Sequence, residues 1–449
     1  MHEEMAIAPT AVIFGGDALW VSLTIFLATY ALIISERINR AIVSLLGAAL
    51  MIATGVLNQE AAIRGVDFNT LGLLTGMMVI VAITKRCGVF QYVAIWAAKR
   101  VKAHPVGLLL MLSLVTALFS AVLDNVTTVL LIVPVTLLIT EELKLNPYPF
   151  LFALIFASNI GGTATLIGDP PNIMIGSATK LTFNDFLLNL APAAGLILVA
   201  TLLVIYFIWR GGLKASKASQ QRIMAFDERK AITDARLLKQ ALTVLGVVIA
   251  GFVLAHPLHL EPATVAMFGA AGLLLIHNLG RHAEKQSEDV HHTFGEVEWV
   301  TIFFFVGLFI LVHGIERAGA LSILAEHMIA LTEGDLTTTA MVVLWVSAVA
   351  SAIIDNIPFV ATMIPMLKSM APTFGGMENI LPLWWSLALG ACLGGNGTLI
   401  GASANVIVAG FAERAGHRIQ FLKFMLLAFP LMLVGIALAS IYVYLRYLV

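Results

Sequence analysis

Two acid-amide pairs, Asp124-Asn125 and Asp355-Asn356, stand in the middle of apolar stretches of 35 residues (106–140 and 338–372), and a third carboxylate, Asp169, lies within GGTATLIGDPPN (161–172). Ionisable groups in such surroundings are costly and by default mark ion paths or proton relays. Asp124, Asp169 and Asp355 are therefore candidates for taking up a coupling proton. A structural reading competes, because Asp is a preferred helix N-cap and each carboxylate could begin the helix that follows it. One group can do both. Asn125, Thr127, Thr128, Thr163, Thr165, Asn172, Asn356, Asn396, Thr398 and Asn405 lie in the same motifs and offer hydroxyl and amide oxygens to a cation or a polar solute. For the threonines close helix packing is an equal alternative. For Asn172 and Asn405 binding is the stronger reading, since an amide buried without partners is expensive. His313 invites a proton-relay role, against a plain hydrogen bond to a neighbouring helix, and Cys392 could meet a thiophilic solute or simply fill space.

The elements that position these groups must cross a membrane. The chain has 449 residues, 59% hydrophobic and 12% charged, with mean hydropathy +0.95, whereas soluble domains carry about 25% charge. Its apolar stretches, from 18–35 to 421–447, are long and contiguous, which predicts helices rather than the short alternating strands of an outer-membrane barrel. A net charge of -1 gives no basic footprint for nucleic acid, and two cysteines make neither a disulfide scaffold nor a zinc site. No His or Cys accompanies either Asp-Asn pair, so the nucleophile-base constellation of an enzyme is missing. No cofactor is implied. The opening MHEEMAIAPTAV lacks the basic n-region of a cleaved signal peptide.

The chain repeats itself. GGTATLIGDPPN lies on GGNGTLIGASAN (394–405) without a gap, with seven of twelve positions identical, and SAVLDNVTTVLLIVP (120–134) on SAIIDNIPFVATMIP (351–365). VDFNTLGLLTGM (66–77) pairs with VEWVTIFFFVGL (297–308), and LLGAAL (45–50) with MFGAAG (267–272). Repeat 1 is 1–209 and repeat 2 is 237–449, joined by the charged segment 210–236, which reads as a cytoplasmic tether. A second polar segment, RHAEKQSEDVHHTFGE, reads as a loop whose His291 and His292 are solvated rather than metal-binding. Asp169 has Ala402 as its repeat partner, so the half-sites are not equivalent.

Five crossings plus one extra apolar segment per half would invert the second copy. With the tether cytoplasmic and the N-terminus outside, 21 of the 26 basic residues fall on inner loops or beside them, leaving Arg64, Lys180, Arg317, Lys368 and Arg446 outside. Parity leaves open which of 106–140 and 150–178 is re-entrant. Inverted repeats with interrupted spans point to a transporter whose site lies mid-membrane. Freed backbone groups in GGTATLIGDPPN and GGNGTLIGASAN must face protein, ion or water, glycines there would supply positive φ, and Pro170 and Pro171 would stop a helix.

LDNVTTVLLIVPVTLLI with SNIGGTATLIGDPPNIMIGSA, and IIDNIPFVATMIP with GGNGTLIGASANVI, resemble the ion transporter superfamily over nearly the whole chain. Within it they resemble the branch joining ArsB-type arsenite permeases, NhaD-type sodium/proton antiporters and the pink-eyed-dilution P proteins. The resemblance implies an all-α polytopic fold: two inverted repeats, each of five transmembrane helices plus one re-entrant hairpin (107–140 and 338–372), with broken helices at 150–178 and 382–412. It also implies an elevator-type cycle and a homodimer. Dicarboxylate members carry Ser-Asn-Thr at the hairpin tips. Here Asp precedes each Asn, with no Lys or Arg in the four motifs, which disfavours dianions. The expectation is proton-coupled efflux of arsenite or antimonite across the inner membrane, with sodium/proton antiport as the alternative and an anion symporter behind both. LDNVTTVL and GDPPN resemble the P proteins more than the best-known arsenite permeases. An arsenic-pump ATPase encoded beside the gene would make the chain that motor's membrane partner.

Overall fold

A computed structural model describes residues 12–35, 37–255 and 257–449, so most of the N-terminal stretch read for a signal peptide lies outside the described residues. Every element among the described residues is helical. Among the described residues, eight helices are long and apolar enough to cross a membrane. Phe183–Trp209 shows why lipid is their solvent: Leu188, Leu196, Val199, Leu203 and Phe207 are all more than half exposed, a surface that water would not tolerate.

The halves interlock by exchange. Arg40–Ala53 packs on Trp299–Arg317 of the second half, while Pro262–Asn278 packs on Phe68–Lys85 of the first. These are repeat equivalents with partners swapped, as a two-fold relation between the halves requires. Glycine makes both crossings close: a Cβ on Gly76 would stand 2.7 Å from the Ala266 carbonyl carbon, and one on Gly307 would stand 2.5 Å from that of Ser44. The same exchange recurs near the acids, where Ser403–Arg414 packs on Asn125–Glu142 and Pro170–Thr179 on Asn356–Met370.

Each 35-residue stretch is two helices with a short break between them. Pro105–Val122 ends before Asp124, and Asn125–Glu142 starts after it; Leu336–Ile353 ends before Asp355, and Asn356–Met370 follows. The repeated glycine motifs are breaks too. Tyr148–Thr163, about 24 Å long at 1.5 Å per residue, is too short to cross alone, and Pro170–Thr179 continues it after six non-helical residues. In the second half Leu381–Gly394 runs through a 3-10 turn at Gly395–Gly397 into a bent, non-helical stretch at 398–402, and Ser403–Arg414 follows.

Several expectations change. The glycines of the two breaks do not adopt positive φ; they are there for close approach, since a Cβ on Gly161 would meet the Ala117 oxygen at 2.2 Å and one on Gly394 the Ala348 oxygen at 2.4 Å. Pro170 and Pro171 begin a helix rather than end one, occupying its first turn, where a missing N–H costs nothing. The segment 210–236 is not a free tether: it holds the helix Lys217–Met224 and a 3-10 turn at Glu228–Ala231. Ile223 is fully buried, Lys99 Nζ donates to Glu228 Oε2 at 2.5 Å, and the Thr233 N–H donates to the Cys87 carbonyl at 3.1 Å. RHAEKQSEDVHHTFGE is likewise no loop but the helix Ala283–Gly295, held by Arg86 to Asp289 at 2.8 Å. His292 there lies 2.9 Å from an Arg86 nitrogen. No cluster of three metal-ligating side chains occurs among the described residues.

Candidate functional site

The first two acids both cap. Asp124 Oδ1 accepts the Thr127 N–H at 2.7 Å and Oδ2 the Thr127 hydroxyl at 2.5 Å; Asp355 Oδ1 accepts the Ile357 N–H at 3.1 Å. Asp169 occupies the N-cap position of Pro170–Thr179 but its side chain makes no cap bond, because two prolines remove the first two N–H groups and the third, of Asn172, donates to the Asp169 main-chain carbonyl at 3.0 Å. Its two oxygens each receive the Asn356 amide at 3.3 Å, and the residue is completely buried. Four helices begin here, at Asn125, Pro170, Asn356 and Ser403, so their positive dipole ends face three carboxylates.

The breaks are tied to the tips. The Asn125 N–H donates to Gly168 O at 3.1 Å, the Thr165 hydroxyl to Ala121 O at 2.6 Å and the Thr398 hydroxyl to Ala352 O at 2.5 Å. Asn172 Nδ2 closes the first break by donating to the Thr163 and Thr165 carbonyls at 3.1 and 2.9 Å. Asn405 Nδ2 does the same for the second, reaching the Gly395 and Thr398 carbonyls at 2.7 and 2.9 Å. Both asparagines thus satisfy the backbone that the broken helices free. Thr163 is bonded within its own helix, to Asn159 O at 2.7 Å. All thirteen residues singled out in the motifs lie on these tips and breaks.

Three contributors escaped sequence reasoning. Asn159 joins the halves: its Nδ2 donates to Asn396 Oδ1 at 3.1 Å and Asn405 Oδ1 at 3.0 Å, and its Oδ1 accepts from Asn125 at 3.3 Å. The signal was an amide in the middle of an apolar helix. Arg40, from another helix altogether, pairs with Asp355 Oδ2 at 3.0 Å, which corrects the view that no cation offsets the acids of the tips. Ser403 completes that contact, donating to Asp355 Oδ2 at 2.7 Å. No ion pair reaches Asp124 or Asp169 among the described residues. Cys392 is buried, its thiol directed to Asn172 Oδ1 at 3.6 Å. His313 stands apart from the tips, pairing with Glu316 on its own helix at 3.1 Å rather than with a neighbouring helix, beside a cavity of about 280 Å³ that Asp67 and Lys368 also line.

The CitMHS family, described as "Citrate transporter", matches residues 30–390. The chain belongs to that family. Relatives of this CitMHS chain include a Mycobacterium tuberculosis protein named as an uncharacterized transporter, 46% identical over 96% of this chain and 99% of its own, and a 46 kDa membrane protein of Mycobacterium leprae, 44% identical with the same coverage. The mouse P protein is 34% identical over 95% of this chain, which spans 60% of that longer protein. In fold, the YdaH transporter of Alcanivorax borkumensis superposes with TM-score 0.58 at 14% identity, over 96% of this chain and 98% of the other. This CitMHS member is a multi-pass membrane transporter of the ion transporter type, not an enzyme.

Proposed function

We propose that the chain is a proton-coupled secondary transporter of the inner (plasma) membrane, and that sodium/proton exchange is the reaction its geometry supports best. The observation that carries this reading is a pair of bare buried oxygens, Asn125 Oδ1 and Thr128 Oγ1, which have no hydrogen-bond partner. They lie one turn apart on the helix that Asp124 caps. A buried polar group left unpaired costs about 1–3 kcal/mol, and hard cations take oxygen ligands. Asp124 supplies charge beside them. Asp169, free of capping and of any basic partner, is the group we assign to the coupling proton, with Asp355 the third candidate. The tips and breaks would travel together against the helices 40–53, 68–85, 262–278 and 299–317 in an elevator-like cycle, with repeat 2 inverted relative to repeat 1 and the 210–236 segment cytoplasmic.

A second reading, efflux of arsenite or antimonite hydroxide, draws on the Cys392 thiol beside Asn172, because trivalent arsenic is thiophilic. The test is purified protein in proteoliposomes carrying a pH-sensitive dye. Sodium-dependent dequenching that Asp169→Asn abolishes supports exchange. Arsenite uptake driven by a pH gradient, without a sodium response, would replace it with the second reading. Uptake of citrate with neither response would sink both and return the family's described cargo.

A further inference from the structure

Arg40 is the first residue of Arg40–Ala53, a helix packed on Trp299–Arg317 and on Ala18–Ile34, outside the set of tips and breaks. Its guanidinium lies over the Phe304 ring, 4.9 Å from the centroid, so one face rests on that framework. The same NH1 donates to Asp355 Oδ2 at 3.0 Å and to the Ser403 hydroxyl at 2.5 Å. Ser403 in turn donates to Asp355. One framework cation therefore grips the second hairpin tip and the start of the second broken helix at once. The contact borders a cleft of about 260 Å³ whose other walls, apart from Asn39, are apolar, among them Ile353, Ile400 and Val406.

The first half has no such grip. The repeat alignment of 45–50 with 267–272 puts Pro262 at the place of Arg40, and that of 161–172 with 394–405 puts Pro170 at the place of Ser403; each proline likewise begins its helix. Asp124, the counterpart of Asp355, is left to its own threonine. The chain spent its symmetry here. An ion pair only part-buried, with side chains 27% and 16% exposed, can be opened by water or solute entering the cleft, which a sealed pair resists.

We infer that Arg40 is a positioning residue that latches the Asp355 tip and Ser403 to the framework in this state, and whose release lets that half of the site move. The latch also removes Asp355 from the acids open to a cation, leaving Asp124 and Asp169. This rests on reading the tips and breaks as the mobile unit.

The test needs a readout that does not depend on cargo. Val406→Cys, in a background with Cys87→Ser and Cys392→Ser, places a label in the cleft on the gripped broken helix; labelling by a water-soluble maleimide is followed in proteoliposomes of the full chain. With Arg40→Gln the labelling rate should change at least threefold, while Arg40→Lys and the parent agree within a factor of two, on the scale at which coupled neighbours depart from additivity. Adding Asp355→Asn to Arg40→Gln should leave that changed rate where it is, because the latch is already open. Equal rates for parent and Arg40→Gln, with both proteins eluting as the same species, would overturn the latch. A changed labelling rate, when the unsubstituted chain assayed in parallel moves none of sodium, arsenite or citrate, would keep the latch and discard the proposed function.

Discussion

Asn159 and Asn405 stand 246 residues apart in the chain and 3.0 Å apart in space, the Asn159 amide donating to the Asn405 side-chain oxygen. Their repeat counterparts are Cys392 and Asn172, and these two also meet, thiol to amide oxygen, at 3.6 Å. The duplication thus leaves the same crossing contact twice, once with an amide and once with a thiol. Asn159 has the larger share of the work, since it also receives Asn125 and reaches Asn396.

Replacing Asn159 with Ala should therefore strip three side-chain partners in a buried place. At about 1 kcal/mol for each net bond, and more where a partner is left unpaired, the loss should be about 2–4 kcal/mol. Thermal unfolding in detergent checks it, and Cys392→Ala, which removes one weak donor, should cost clearly less.

Gly161→Ala and Gly394→Ala should each drive a Cβ into the facing backbone oxygen, at 2.2 and 2.4 Å, and force Tyr148–Thr163 from Pro105–Val122, or Leu381–Gly394 from Leu336–Ile353. Overpacking of this kind costs about 1–3 kcal/mol. Gly195→Ala, with nothing within 4 Å, should be neutral or raise the melting temperature slightly. Equal effects at all three positions would contradict the close-approach account.

Thr128→Val removes one bare oxygen while keeping shape. The variant should melt no lower than the parent, because no hydrogen bond is lost, yet its apparent KM for sodium should rise about tenfold, the worth of roughly 1.4 kcal/mol. A lower melting temperature with an unchanged KM would show the hydroxyl to be structural.

Lys99 beside Glu228 holds that carboxyl below its ordinary range. A depressed carboxyl contributes its stabilisation above the unfolded value and loses it as pH falls through the folded one, so docking of 210–236 should weaken only below the ordinary carboxylate range. Hydrogen exchange of residues 226–234, corrected for intrinsic rates, should speed up there, and should already be fast near neutrality in Lys99→Gln.

Much of this was legible beforehand because apolar length and motif repetition are local properties. The breaks at 123–124, 164–169, 354–355 and 398–402 follow from carboxylates, glycines and prolines inside spans. What a charged segment does was not legible: 210–236 and 283–295 are polar in composition, yet one docks through Ile223 and Lys99 and the other is a helix anchored by Arg86. Composition reports solubility, while docking depends on a few side chains finding partners elsewhere.

The sequence by itself determined that two copies of one membrane unit each carry an Asp-Asn tip and a broken helix, since hydrocarbon tolerates such groups only where protein, ion or water meets them. Only the tertiary structure decided which oxygens are used up and which are bare. Asn172 and Asn405 proved to be clamps on the breaks, Asn125 and Thr128 kept free oxygens, and Arg40 took Asp355. Arg40 reaches Asp355 across 315 residues of chain, and even the clamps, which close over seven to ten residues, depend on how each break is folded, because a hydrogen bond depends on distance in space.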